Sequence, residues 1–148
     1  LIARESILTA LFNLFQAMPG LITVSRRPRY WSDVPPEEQP AFFLGAGDQT
    51  VKNDPSGTPA TWTLDATIYL YVFSGDDSVP PSLALNGYLD QIEALLAPPA
   101  PGTPWPMGFC SLGGLVNHVW INGPITTSGD VLGSQGIAMI PLQILANA

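Results

Sequence analysis

The chain has 148 residues, of which 17 are charged (5 Lys or Arg, 12 Asp or Glu), for a formal charge of −7. That length suits one domain with a single core and excludes a large two-domain enzyme. A hydrophobic fraction of 46% and a mean hydropathy of +0.22 exclude wholesale disorder, and the acidic balance excludes a nucleic-acid clamp, which needs a net basic face.

Charged residues make up 11% of the chain, less than half the usual ~25%. A folded monomer of 15.8 kDa exposes roughly 7,300 Å². Its charges therefore stand one per about 430 Å², against about 200 Å² at ordinary composition. So much neutral surface suits a subunit that covers its flanks with neighbours. With one cysteine, Cys110, there is no intrachain disulfide and no Cys-based metal cluster. With one histidine, His118, there is no His₂ or His₃ site. No apolar run approaches ~18 residues, so no membrane span is expected. Residues 1–6 lack a basic n-region, and the expectation is a protein made and assembled in a cytoplasm.

Along the chain, Ile7, Leu8, Leu11, Phe12, Phe15 and Met18 recur at a 3/4 spacing, which predicts an amphipathic helix over 3–18 stopped by Pro19-Gly20. Residues 21–27 read as a short strand ended by Pro28. A Pro-rich connector, 29–40, carries Tyr30 and Trp31 into a second strand, 41–44. Residues 45–60 hold Gly45, Gly47, Asp48, Asn53, Asp54, Pro55, Gly57 and Pro59, and this turn chemistry predicts a long projecting loop. The clearest strand is 61–73. Trp62, Leu64, Ala66, Ile68, Leu70 and Val72 take one face, and a Thr- and Tyr-rich set takes the other, which predicts helices on the first face and partial burial on the second.

Ser74–Asp77 turns the chain into a helix over 82–97, with its stripe at Leu85, Tyr88, Leu89, Ile92, Leu95 and Leu96. Residues 98–106 read as a stiff Pro-rich spacer. A strand at about 115–122, a polar turn at 126–130 and a strand at about 135–146 complete the chain. Pro141 inside the last strand predicts an edge position or a bulge. The fold class is α+β: a two-layer sandwich of about four to five mainly antiparallel strands, with two helices on one face. A single domain spans 1–148.

Enzyme signatures are scarce. No nucleophile elbow, phosphate loop or zinc-protease motif occurs. Cys110 and His118, eight residues apart, read as a small buried thiol and a strand histidine rather than a catalytic pair. The carboxylate pairs Glu37-Glu38 and Asp76-Asp77 read as solvated loop charge, as does Asp130. The expectation is no enzyme, no metal and no cofactor. The basic residues say more. Arg26, Arg27 and Arg29 are three of the five cations, and Tyr30 and Trp31 follow them directly. Arg, Tyr and Trp are the side chains enriched at interface hot spots.

The N-terminal helix leading into Leu-Ile-Thr-Val-Ser-Arg at 21–26, the segments 31–34 (Trp-Ser-Asp-Val) and 39–43 (Gln-Pro-Ala-Phe-Phe), and the alternating strand 62–73 form one pattern. It continues through the Leu-rich helix 85–96, the stretch 112–123 (Leu-Gly-Gly-Leu-Val-Asn-His-Val-Trp-Ile-Asn-Gly) and the close at 129–142. This pattern resembles the tail terminator (tail completion) proteins of long-tailed bacteriophages. It covers most of the chain, although segment 98–106 has no counterpart in it. The resemblance implies a small mixed sheet flanked by helices and a homo-oligomer, a ring of six copies. Such a ring caps the head-proximal end of the tail tube, stops the tube protein polymerising and offers a docking surface to the head-completion (stopper) protein. Genomic DNA passes through its lumen without specific binding, and the protein resides in the virion neck after assembly in the bacterial host. The interface candidates are Arg26, Arg27, Arg29, Tyr30 and Trp31, with Asp48, Lys52 and Asp54 on an arm at 48–58. The rival readings are a stopper or other neck connector, a non-viral binding module using the aromatics, and a small hydrolase using Cys110 or Asp130.

Overall fold

The computed structural model describes residues 2–96 and 110–147. Its centre is β3, Thr61–Phe73, whose bounds and alternation match the sequence pattern. β3 is flanked by β2 (Ala41–Lys52) and β6 (Gln135–Asn147), both antiparallel to it. β1 (Thr23–Ser25) joins the outer side of β2 in parallel, while β4 (His118–Ile121) and β5 (Thr126–Thr127) share the outer side of β6. The six strands form one open, mixed sheet, and the helices α1 (Arg4–Gln16) and α2 (Pro81–Leu96) cover one face. The protein is an α+β two-layer sandwich.

The main core lies between that face and the helices. Ile7, Leu11 and Phe15 of α1 and Leu85 and Ile92 of α2 meet Phe42, Leu44, Ile68, Leu70, Ile140 and Ile144. Each such side chain stabilises the fold by about 1.5–3 kcal/mol over its exposed state. Pro19-Gly20 ends α1 as expected. Gly20 has φ +85°, and the Tyr88 hydroxyl of α2 donates to the Pro19 carbonyl at 3.2 Å, locking the two helices together.

The opposite face carries a smaller cluster of Val34, Ala41, Phe43 and Tyr71, packed by Trp31, Tyr69 and Ile137. The connector 29–40 therefore lies over the sheet. It contains two single 3-10 turns, Trp31–Asp33 and Pro36–Glu38, and ends in a cis Gln39–Pro40 peptide. Gln39 and Gln135, both buried, clamp it in place. Their side-chain amides bond reciprocally at 2.9 Å in each direction, and Gln39 Nε2 also donates to the Val34 carbonyl.

Three expectations are corrected. First, the projecting loop predicted over 45–60 is half strand, because β2 continues to Lys52 and only 53–60 connects it to β3. The glycines that suggested a turn are there for close packing across the hairpin. A Cβ on Gly47 would stand 3.1 Å from the Asp65 carbonyl oxygen, beside a register shift between Ala46 and Gln49.

Second, Pro141 lies in an interior strand that is paired on both sides, not on an edge. Its carbonyl accepts from Asn122 N, so its missing N–H faces the gap where the outer partner changes from β4 to β5. The reciprocal bond to Asn122 is the one proline cannot make, and it falls just past the end of β4. Third, the polar turn at 126–130 begins with the two-residue strand β5. The strands predicted at 21–27 and 115–122 shorten to β1 and β4, the latter preceded by a 3-10 turn at Leu112–Gly114. The spacer reading of 98–106 falls outside the described residues.

Candidate interaction surface

The arginine cluster leaves the sheet where β1 ends. Arg26 turns toward α1 and pairs with Glu5, whose carboxyl it holds below the ordinary carboxylate range. Arg29 pairs with Glu38 at 3.0 Å and lies over the Phe43 ring at 5.6 Å, while its carbonyl accepts from the Tyr71 hydroxyl at 2.7 Å. Burial raises the Tyr71 pKa, with smaller contributions from Tyr69 and Tyr30. Trp31 folds back onto the second cluster, so its ring serves packing, and Tyr30 leans on it at 5.9 Å while staying 66% exposed. Arg27 is exposed, and its guanidinium makes no ion pair among the described residues. Of the cluster, then, Arg27 and Tyr30 face outward, whereas Arg26, Arg29 and Trp31 hold the connector and helix in place.

The second group separates from the first. Asp48 and Lys52 are exposed on the outer half of β2. Asp54 closes its own turn by accepting from Ser56 N at 2.8 Å, and that backbone bond lowers its pKa. The sequence reading passed over Arg4. From the start of α1 its Nε donates to Gln49 Oε1 at 2.6 Å, and its guanidinium sits 4.5 Å above the Trp62 ring. That contact braces the outer half of the β2–β3 hairpin against the helix and contributes about 0.5–1 kcal/mol. Both partners are tertiary, and no local spacing announces them.

Around Cys110 and His118, burial raises the thiol's pKa and lowers the imidazole's, so both environments favour the neutral form rather than a thiolate–imidazolium pair. His118 stacks on Trp120 with ring centres 5.2 Å apart, on the sheet face away from the helices. Trp120 is thus not a core residue, while Trp62 packs against the main core. Asp76 accepts from Ser78 N and Oγ, which lowers its pKa. Asp130 accepts from Ser82 N at 2.9 Å and Ser82 Oγ at 2.7 Å, capping the start of α2 from the loop after β5. Among the described residues no group of three or more His, Cys, Asp or Glu could hold a metal ion, and no helix is long and apolar enough to cross a membrane.

Two surface properties stand out. Along β3, β4 and β6 the face opposite the helices carries one charge, Asp65, whose Oδ1 accepts from Gln143 Nε2 at 3.1 Å. The charges are also divided along the chain. Residues 1–52 hold all five cations and five carboxylates, whereas residues 53–148 hold seven carboxylates and no Lys or Arg. The whole net charge of −7 therefore arises after Lys52. Comparison with protein-family models and with curated proteins finds no match.

Proposed function

We propose that the chain is a structural virion protein, six copies of which form a ring on the head-proximal end of a phage tail tube. The ring halts tube polymerisation, docks the head-completion protein and lets DNA pass through its bore. The observation that carries this reading is the poverty of surface charge. The chain exposes 8,210 Å² for its 17 charges, one per about 480 Å² where ordinary composition gives about one per 220 Å². Surface of that kind suits a subunit flanked on both sides by copies of itself. The sequence resemblance points the same way.

The electrostatics fit the task. Six copies at −7 each amount to −42, and surplus negative charge around a bore repels phosphate, so DNA slides without binding. Capping a tube requires only a surface that binds the last tube ring and does not repeat it, so the role needs no catalytic group.

Immunogold labelling of the parent particle tests the reading. The label is expected at the neck, and particles assembled without the protein should carry tails of uncontrolled length detached from heads. Label on the capsid shell or baseplate, or normal particles without the protein, would overturn it. Label on tail-less heads would reassign the chain to head completion.

A further inference from the structure

Four large apolar side chains are exposed around one end of the sheet: Val131 (81%), Leu83 (65%), Phe73 (42%) and Leu132 (39%). Ser74 N donates to the Ser134 carbonyl at 2.8 Å, and Asp130 bonds Ser82, so the loop after β5, the end of β3 and the start of α2 form one surface. A groove of about 360 Å³ runs along it, lined by Phe73, Val79, Pro80 and Leu83. Exposed apolar surface of this kind marks an interaction site. Asp76 lines this groove and Asp77 and Asp130 line the hollow beside it, so its rim is acidic, and the 96 residues from 53 to 148 offer it no cation.

The complementary surface is on the same molecule but out of reach. Ser25 of β1, Phe43 of β2, Tyr69 of β3, Met139 of β6 and Thr126 of β5 form one continuous row across the sheet. β1 and β5 are its two opposite edges, four strand spacings or about 19 Å apart, and they run antiparallel. Arg27 and Tyr30 follow the first edge. Asp130 and Val131 follow the second. At the start of the same edge Ile22 is also exposed, at 61%. One edge therefore presents Arg27, exposed and outside any ion pair among the described residues, beside the exposed Tyr30, with Arg26 and Arg29 already paired and Asp33 and Glu37 exposed on the same connector, and the other is apolar with an acidic rim.

Building on the ring reading, we propose that copies associate head to tail, the Arg27–Tyr30 edge of one seating on the Leu83–Val131 surface of the next. The two surfaces differ, so the contact is heterologous and repeats around a ring instead of ending at a dimer. The apolar residues supply buried area. Arg27 meets the acidic rim and sets orientation, whereas seating one acidic rim on another would bring carboxylate to carboxylate.

The test uses two variants of the full chain, Arg27→Glu and Val131→Arg, with light scattering after size exclusion. Both positions are exposed, so circular dichroism and thermal midpoint should match wild type and separate folding from association. Wild type is expected to assemble, and each variant alone should associate at least about tenfold more weakly. An equimolar mixture should recover assemblies containing both variants, because each supplies the surface the other lacks. If wild type assembles and either variant does so equally well, or if the mixture stays monomeric, this interface is wrong while the ring reading stands. The same holds if the variants assemble normally and fail only in binding the tube, since the surface then serves another partner. A monomeric wild type defeats both.

Discussion

Replacing Gln135 with Met tests whether the amide clamp holds the connector that carries Arg29, Tyr30 and Trp31. In the wild type, Gln135 Nε2 donates to Gln39 Oε1, to the Val72 carbonyl and to the Gly136 carbonyl, and Gln135 Oε1 accepts from Gln39 Nε2. Met keeps the volume and removes all of these. Gln39, only 5% exposed, is left with an unsatisfied acceptor, which costs about 1–3 kcal/mol, and its lost donor bond adds about 1 kcal/mol. The single variant should therefore lose about 2–4 kcal/mol. At about 2–4 °C per kcal/mol for a chain of this size, the melting temperature falls by roughly 5–15 °C. Gln39→Met should behave alike. The double variant has no orphaned amide and should lose clearly less than the sum of the singles, a coupling of about 1–3 kcal/mol. Urea unfolding followed by tryptophan fluorescence measures all four proteins. If the single effects add within about 0.5 kcal/mol, the two amides do not act as a pair and the clamp is disproved.

Gly136→Ala should destabilise by about 1–3 kcal/mol in the same assay, because its Cβ would meet Pro81 Cβ and Val72 Cγ2 at 2.8 Å. In an NMR titration the Glu5 carboxyl should titrate below its ordinary value of 4.5, and Arg26→Ala should move it back up. The sign follows from the depressed folded value: the Arg26 contact favours the fold at neutral pH and is lost as pH falls through that value. Cys110 should react with alkylating reagents at pH 8 more slowly than a free thiol, because burial raises its pKa. Fast alkylation would revive a nucleophilic role for it.

Much of the fold was legible in local pattern. β3 and both helices announce themselves because a long element burying one face must repeat its apolar residues at its own period. Elements whose reasons lie elsewhere in the structure did not. Gly45 and Gly47 resemble turn residues, yet they serve close backbone approach to Tyr69 and Asp65 on the neighbouring strand. Pro141 looked unfit for an interior strand, and only the change of partner from β4 to β5 explains it. The arginine cluster was visible as a cluster. Its division into structural and outward-facing members was not, since Glu5 lies 21 residues from Arg26 and the Phe43 ring under Arg29 comes from another strand. Arg4 escaped notice for the same reason. By contrast, the absence of any cation after Lys52 can be counted directly from the chain, and it acquires meaning only once the fold sets Arg27 and Val131 on opposite edges.

The central claim, that this chain closes off a growing tail tube, is tested most directly by polymerising the cognate tube protein in vitro with and without it, and measuring tube lengths by electron microscopy. The account predicts that a few copies per tube arrest elongation and leave a ring on one end. Tubes of unchanged length with bare ends, at saturating amounts of the protein, would contradict it.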